Sequence, residues 1–369
     1  MIMDQRNNHP DPPVSGRGGK KKPVNKYYQG PASDHFDGIR FFNPGGRPPN
    51  GLRDLLKWQF GEKRNPWPPS YESPVGDAMP DATVDGDGLR ITMIGHASML
   101  IQVAGLNILT DPVWSRRVSP FSFIGPKRIN APGIAFDRLP DIDLVLLTHN
   151  HYDHLDIGTL ARLHKHHRPL VITPLGNDRI VHASVPDMQI ETGDWGDALD
   201  LAGGVRIHFE PCHHWSARGS RDRRMALWAA FVLETPAGRI YHIGDTGFHD
   251  GTNYKMAFEK YGGFRLAILP IGAYEPRWFM KDHHQNPLEA VEGLELCAAD
   301  HAVGHHWGTF QLTNEAIEAP LEALAAALAQ KSVDPARFRT LRPGESWDIP
   351  PSTSRTGQTD GKAASGNLQ

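Results

Sequence analysis

A group of metal-binding side chains follows an apolar stretch near the middle of the chain. The apolar stretch is Leu144–Leu147, and the next residues, Thr148–Asp156, read Thr-His-Asn-His-Tyr-Asp-His-Leu-Asp. Imidazole and carboxylate groups are ligands that suit zinc and related divalent ions. A buried strand that ends in such a group must deliver these side chains to one place. We therefore predict a metal site here rather than a histidine-rich surface loop.

The spacing within this segment indicates which side chains share an ion. Side chains two positions apart in an extended segment point the same way, so His149 and His151 can bind one ion. The chain then turns, and Asp153 and His154 can face a second ion a few ångströms away. The segment therefore predicts a centre with two metal ions.

A centre with two ions needs more ligands, and three later segments offer them just after strand-like apolar segments. Asp245 follows one of these strands, and its carboxylate can lie between the two ions. The other two segments contain adjacent histidines, so that the ligand is His213 or His214 in one and His305 or His306 in the other. One histidine from each pair completes a set of five histidines and two aspartates.

Composition and charge exclude several classes of protein. The chain has 369 residues, of which 39% are hydrophobic and 22% charged, as is usual for a soluble globular protein. A net charge of -3 argues against a nucleic-acid partner. Two cysteines give no disulfide framework. Because no apolar run approaches the roughly 18–20 residues of a membrane span and no signal peptide is evident, we expect a cytoplasmic protein.

The chain divides into one large domain with a polar tail at each end. Residues 1–26 are rich in Pro, Gly, Asn and Lys and are expected to form a disordered tail. The run Lys20–Lys22 promotes solubility or, alternatively, a weak peripheral contact with anionic lipid. The domain is predicted over 27–348, and residues 349–369 form the second tail. Within the domain, residues 27–87 form an irregular aromatic layer with a short helix near Leu52–Phe60.

Strands in both halves of the domain, each followed by helical segments, favour an α/β fold with two packed sheets and helices outside. The predicted strands are Leu89–Met93, Met99–Val103, Asn107–Thr110, Leu144–Thr148, Leu170–Thr173, Val205–Glu210, Ala229–Glu234, Ile240–Ile243 and Leu266–Pro270. The predicted helices are Ile157–His164, one that begins at Asn286-Pro287, and one with Ile317, Leu321, Leu324 and Leu328 on a single face. Periodicity alone does not distinguish this layout from other α/β folds.

The segment His149–His154 matches the HxHxDH signature of the metallo-β-lactamase superfamily, which has an αββα sandwich fold. Over roughly residues 27–348 the chain resembles the branch that contains N-acyl-phosphatidylethanolamine-hydrolysing phospholipase D and bacterial RomA-type proteins. The supporting motifs are Gly95–Ser98, Thr110–Pro112, Gly125–Arg128, Gly244–Gly247, Pro270–Met280 and His306–Phe310.

The resemblance implies that the histidine before tryptophan is the ligand in each pair. It implies two Zn²⁺ ions per chain, although iron or manganese remains an alternative. One ion is held by His149, His151 and His214, the other by Asp153, His154 and His306, and Asp245 bridges them.

The resemblance also implies a phosphodiesterase that releases N-acylethanolamine and phosphatidic acid from a phospholipid, and a homodimer. The implied catalytic residues are Asp153, Asp245 and His284, and the expected substrate contacts are Tyr274, Arg277 and His283. The chain departs from the animal enzymes at His283, where they carry glutamine, and this leaves the lipid specificity open.

Two other functions are compatible with the same residues. A metal-dependent hydrolase of this fold can act on a lactone, an amide, or a cyclic or sugar phosphate. A metal-bound protein can also act by binding a partner without catalysis. His96 and Asp111, which follow strand-like segments, are candidates to orient the ligands by hydrogen bonds.

Overall fold

Two seven-stranded β-sheets pack face to face in the computed structural model, which describes residues 24–352. The strands are β1 Leu89–Gly95, β2 Ser98–Val103, β3 Leu106–Thr110, β4 Leu144–Leu146, β5 Leu170–Pro174, β6 Ile190–Gly193, β7 Ala198–Asp200, β8 Arg206–Glu210, β9 Ala230–Thr235, β10 Gly238–His242, β11 Phe264–Pro270, β12 Ala299–His305, β13 Phe338–Thr340 and β14 Ser346–Asp348. The first sheet has the order β14-β1-β2-β3-β4-β5-β6, and the second has the order β13-β12-β11-β10-β9-β8-β7.

Helices cover the outer faces of both sheets. Helices α2 Ile157–His166 and α3 Asn177–His182 pack on the first sheet, and α4 Thr252–Tyr261, α6 Pro287–Leu296 and α7 Ala319–Lys331 pack on the second. The two other helices are α1 Leu52–Gly61 and α5 Arg277–Met280. The Asn286 side chain caps α6 by accepting from the main-chain N–H of Glu289, as the sequence predicts. Helix α7 begins two residues after Ile317, because Pro320 is tolerated only in the first turn of a helix. No helix within residues 24–352 is long and apolar enough to cross a bilayer.

Alternating side chains along the strands build three apolar layers. In β2, Met99 and Ile101 join the layer between the two sheets, whereas Leu100 packs with Leu160 of α2. In β11, Leu266 and Ile268 face the first sheet, and Ala267 and Leu269 join the cluster that contains residues of α6 and α7. Strands buried on both faces are apolar throughout. The predicted αββα sandwich is confirmed.

The packed part of the chain extends beyond both predicted boundaries. Residues 1–23, including Lys20–Lys22, and residues 353–369 lie outside the described part. Asn25 is buried, and its side chain donates to Ile39 O (2.9 Å) and Met225 O (2.8 Å), so the first tail ends before residue 26. Ile349 is also buried, and its carbonyl accepts from Arg265 Nη2 (2.5 Å), so the domain continues past residue 348.

His35 attaches the N-terminal layer to the loop between β6 and β7. Its Nε2 lies 2.7 Å from Asp194 Oδ1, its Nδ1 lies 2.6 Å from Asp34 Oδ1, and its ring stacks on Trp195 at 4.5 Å. Burial opposes a charge on this imidazole, but the hydrogen bonds to Asp194 and Asp34 outweigh it and raise the pKa of His35. The charged form of His35 therefore binds the two carboxylates more favourably than the neutral form does.

The stability that His35 contributes should depend on pH, so the cost of replacing it should do so as well. A group whose pKa is raised by folding stabilises fully below its unfolded pKa, about 6.5 for histidine, and loses that contribution as pH rises through its folded pKa. We expect His35→Gln to lower the free energy of unfolding by about 1–2 kcal/mol at about pH 6, and by less at alkaline pH. Urea unfolding over a pH series measures this difference.

The two carboxylates provide a matched comparison for this prediction. The Asp194 side chain is 32% exposed and that of Asp34 is 87% exposed, so Asp194→Asn is expected to lose more stability than Asp34→Asn. A deficit of His35→Gln that stays constant from acidic to alkaline pH would contradict the charged contact.

Candidate metal centre

Loops at one edge of the sandwich bring the predicted ligands together. Strands β8 and β10 both pair antiparallel with β9, and β10, β11 and β12 are parallel, so β8, β10 and β12 end at the same edge. The loop after β4 reaches this edge from the other sheet. Side chains on the four loops that follow these strands form the cluster: His149, His151, Asp153, His154, His214, Asp245 and His306.

Three imidazoles converge in the first half of the cluster. His149 Nε2 lies 2.9 Å from His151 Nδ1, and His214 Nε2 lies 3.2 Å from the same atom. Nitrogen ligands on one tetrahedral zinc, with Zn–N bonds of about 2.0–2.1 Å, are about 3.3–3.4 Å apart. The three nitrogens are therefore close to the arrangement that one metal ion requires.

The second half of the cluster combines two imidazoles with two carboxylates. His306 Nε2 lies 3.3 Å from Asp153 Oδ2, and His154 Nε2 lies 3.6 Å from it. Asp245 Oδ2 lies 3.0 Å from His306 Nε2, 3.2 Å from His154 Nε2 and 3.8 Å from His214 Nε2. The Asp245 carboxylate therefore reaches both halves of the cluster.

Several buried atoms of the cluster have carboxylates or imidazoles nearby but no hydrogen bond of acceptable geometry. His154 Nε2, His306 Nε2 and Asp245 Oδ1 are buried and make no satisfactory hydrogen bond within the described residues. Buried polar atoms without partners are uncommon, because each costs the free energy of its lost hydration. Lone pairs that converge on one region from nitrogen and oxygen donors suit divalent cations.

The two halves differ in charge. Burial lowers the pKa of His151 to about 3, so this imidazole is neutral and its lone pair is free to bind a metal. Burial also opposes a charge on His306, but Asp245 and Asp153 outweigh it and raise the pKa to about 9. Burial opposes ionisation of Asp245 as well, yet His306 and His154 keep its pKa well below the usual range. Protonated imidazoles therefore balance the charge of the buried carboxylates in the second half of the cluster.

Asp111 orients two candidate ligands from the side away from the cluster, His154 directly and His149 through Thr148. It is fully buried, and its Oδ2 accepts from His154 Nδ1 (2.7 Å) and from the Thr148 hydroxyl (2.7 Å). The same hydroxyl oxygen lies 3.0 Å from His149 Nδ1 and can accept from it. Each contact leaves an Nε2 atom facing the cluster, as outer hydrogen bonds do in known metal sites. The hydrogen bond expected of Asp111 is confirmed.

His96 contacts another ligand. Its Nε2 lies 3.0 Å from Asp153 Oδ2, and burial lowers the pKa of His96 to about 4. The neutral ring therefore donates its Nε2–H to the carboxylate, as expected for a group that orients a ligand. On the other side of the cluster, His214 Nδ1 donates to the main-chain carbonyl of His283 (3.0 Å).

The structure separates the members of the two histidine pairs. His214 and His306 enter the cluster, whereas His213 accepts from Asn253 Nδ2 (2.8 Å) and stacks on His249. His305 lies in β12, outside the cluster. The position of His306 depends on a neighbouring glycine: a Cβ on Gly272 would lie 2.1 Å from His306 O, so any other residue would displace this loop.

A cavity of about 690 Å³ opens onto the cluster. Four of the candidate metal ligands line it, namely His151, Asp153, Asp245 and His306. Its remaining walls include Leu52, Leu55, Trp58, Tyr152, Trp215, Arg218, Arg223, Phe279, Met280, His283, His284 and Leu312. Most of the lining surface is apolar. The cluster therefore faces a largely apolar cavity.

Of the three expected substrate contacts, only His283 lines the cavity, together with the expected catalytic residue His284. His284 Nδ1 lies 4.0 Å from Asp245 Oδ2. Tyr274 and Arg277 do not line it. The Arg277 guanidinium pairs with Glu289 (2.8 Å) and donates to His284 O (2.8 Å), so it supports the histidine segment from outside.

Sequence reasoning missed the walls supplied by α1 and by residues 216–224. Trp58 of α1 is buried, and its indole N–H donates to Asn314 (2.9 Å). Arg218 and Arg223 line the cavity from a loop with four arginines, at positions 218, 221, 223 and 224. That concentration of charge close to His214 was the available signal.

A family model described as a beta-lactamase superfamily domain matches residues 106–307. The N-acyl-phosphatidylethanolamine-hydrolyzing phospholipase D 1 of Caenorhabditis elegans is 35% identical over 346 residues, which cover 89% of this chain and 94% of the relative. The mitochondrial enzyme of the same name in Saccharomyces cerevisiae is 32% identical over 67% of this chain and 54% of its own length.

A solved structure has the same fold. It is Igni18, a metallo hydrolase from the archaeon Ignicoccus hospitalis, which superposes with a TM-score of 0.53 at 20% sequence identity. The match covers 71% of this chain and 99% of that protein. At this identity the similarity concerns the fold.

Asp111→Asn tests the support behind the cluster. Both oxygens of Asp111 are acceptors, because Oδ1 also accepts from the main-chain N–H of Thr148 (2.7 Å). The amide keeps the shape of the carboxylate but replaces one acceptor oxygen with an NH₂ donor, so either His154 or Thr148 loses its acceptor. We expect metal affinity to fall by about 10–100-fold, as measured by competition with a chromophoric chelator. Metal affinity equal to that of the wild type, in a folded variant, would show that Asp111 does not orient the ligands.

Proposed function

We propose a substrate for this chain from its family: it belongs to the metallo-β-lactamase superfamily, in the branch of the N-acyl-phosphatidylethanolamine-hydrolysing phospholipases D, and is a metal-dependent hydrolase. The proposed reaction is cleavage of a phosphodiester bond of an N-acyl-phosphatidylethanolamine. The products are an N-acylethanolamine and phosphatidic acid. The observation that carries this proposal is the position of the cluster, whose donor atoms form part of the wall of an apolar cavity.

The proposed centre holds two divalent metal ions, and zinc is favoured by its five imidazoles. One ion is assigned to the three imidazoles of His149, His151 and His214, and the other to Asp153, His154 and His306, with Asp245 shared between them. Supporting this assignment, Asp245 Oδ2 lies within 3.8 Å of nitrogens from both halves.

Bound there, the ions supply a nucleophile from water at neutral pH and stabilise charge on the phosphoryl oxygens. The chain's own residues keep the reacting groups in place. Asp153 and Asp245 are the proposed catalytic carboxylates, since both remain ionised: burial opposes this, but neighbouring imidazoles hold each pKa well below the usual range. Their negative charge is available to the centre at neutral pH.

His284 is the proposed catalytic group on the substrate side. Burial lowers its pKa to about 3, so the ring is neutral and acts as a hydrogen-bond donor or acceptor rather than as a cation. Its neighbour His283 also lines the cavity, with both ring nitrogens unpartnered within the described residues. We assign these two rings to contacts with the phosphate and the leaving alcohol.

The apolar wall supports a lipid rather than a sugar phosphate. Helix α1 contributes Leu52, Leu55 and Trp58, and Phe279 and Met280 come from α5. Each methylene of an acyl chain that leaves water for such a surface gains about 0.8 kcal/mol. A sugar phosphate gains little from it and leaves its hydroxyl groups without partners.

The proposed activity is tested on zinc-loaded protein with an N-acyl-phosphatidylethanolamine and with bis(p-nitrophenyl) phosphate. We expect two metal ions per chain and turnover of both compounds. Asp245→Asn removes the shared charge and is expected to lower kcat by roughly 100-fold or more on both.

The two substrates separate the parts of this proposal. Turnover of the soluble diester alone would discard the lipid and keep the metal hydrolase. Asp245→Asn with wild-type metal content and wild-type rate would refute the ligand assignment.

A charge in the apolar wall is expected to discriminate between the two substrates. Leu55 lines the cavity and is 38% exposed, so Leu55→Glu should fold while placing a carboxylate where an acyl chain would lie. We expect kcat/KM for the lipid to fall by about 10-fold or more, and that for the soluble diester to stay within about 2-fold.

Leu56→Glu is the matched control, because Leu56 is 47% exposed on the same helix but does not line the cavity. Equal losses in both variants, or an equal loss on both substrates, would contradict an acyl-chain site at this wall.

A further inference from the structure

A loop of residues 216–224 forms part of the cavity wall and is fixed by one buried carboxylate. Asp222 Oδ1 accepts from the main-chain N–H groups of Arg218 (3.1 Å) and Gly219 (2.8 Å). Its Oδ2 accepts from the Tyr27 hydroxyl (2.9 Å), which belongs to the N-terminal layer. The Arg218 side chain therefore extends from a backbone held in one position.

Arg218 reaches the turn that carries most of the metal ligands. Its Nη1 lies 3.2 Å from Asn150 O and 2.6 Å from Leu155 O, and it donates to both carbonyls. In sequence, these two carbonyls bracket the ligands at positions 151, 153 and 154. One guanidinium nitrogen therefore ties together the two ends of this turn.

Tyr152, in the middle of the turn, contacts Arg218 in two ways. The guanidinium carbon lies 3.6 Å from the centre of the Tyr152 ring, and the Tyr152 hydroxyl donates to Arg218 O (3.2 Å). A flat guanidinium can stack on a ring while its edge donates to two carbonyls. The compact ammonium of lysine cannot make both contacts at once.

From these contacts we propose that Arg218 is a positioning residue for the metal centre. It holds the turn so that the ligand atoms of Asp153 and His154 keep their places when a metal binds and during turnover. This inference rests on the proposed function, because it requires that the cluster binds metal. Loss of the Arg218 guanidinium should accelerate metal release and lower kcat, with little change in KM.

The test uses Arg218→Lys in the full-length, zinc-loaded protein. Zinc release to a chromophoric chelator is measured together with kcat and KM for bis(p-nitrophenyl) phosphate. Residues that hold metal ligands typically contribute 10–100-fold to affinity or activity, so we expect release about 10–100-fold faster, kcat about 10–100-fold lower and KM within about 2-fold.

Arg224→Lys is the matched control. Arg224 lies in the same loop and donates to a main-chain carbonyl, that of Phe41 (3.5 Å), but it does not line the cavity or contact the turn. It is expected to behave like the wild type in zinc release.

Chemical rescue separates positioning from a general loss of structure. Arg218→Ala leaves a space in which methylguanidinium can restore both contacts, and added methylguanidinium is expected to raise kcat and slow zinc release. If Arg218→Ala does not fold, Tyr152→Phe removes only the hydroxyl that donates to Arg218 O, and it should change zinc release in the same direction by less.

Two results would overturn the inference alone, in a wild type that binds zinc and cleaves the diester. One is zinc release and kcat for Arg218→Lys equal to those of the wild type. The other is a rise in KM with unchanged zinc release, which would mean that Arg218 contacts substrate instead of holding the turn. A wild type that binds no metal would overturn the inference and the proposed function together.

Discussion

The buried carboxylate of Asp245 is the constraint on which the centre depends. It is 2% exposed, and an ionised group at such a depth is costly unless cations or hydrogen-bond donors surround it. His154 and His306 lie within 3.2 Å of its Oδ2 and balance its charge. Without a metal, protonated imidazoles supply the positive charge. A divalent ion can replace them, because metal binding releases protons from its ligands.

The sandwich supplies the rigidity that such a cluster needs. Both sheets are buried on both faces, and the candidate ligands lie where four strands end, so the loops that carry them start from fixed points. Further contacts act on the loops themselves. Asp111 orients His154, and Arg218 ties the turn between Asn150 and Leu155. The fold therefore sets the positions of the loops, and these buried polar contacts set the directions of the ligand atoms.

The sequence predicted the layers and the first ligands because both depend on local patterns. Apolar strands and the spacing of His149 and His151 are visible over a few residues. The choice between His213 and His214 depends on which side of a turn each imidazole occupies, and only the resemblance decided it. Arg218 was missed because its partners lie 63 to 68 residues earlier in the chain. Arg277 was placed in the pocket, yet Glu289 on the next helix draws its guanidinium away.

The central claim is that two metal ions bind among these seven side chains. Anomalous diffraction at the zinc edge, from crystals of protein grown with zinc, measures this most directly. The account predicts two peaks, one among His149, His151 and His214 and one among Asp153, His154 and His306, with Asp245 between them. A single peak elsewhere, or no peak at this edge of the sandwich, would contradict it.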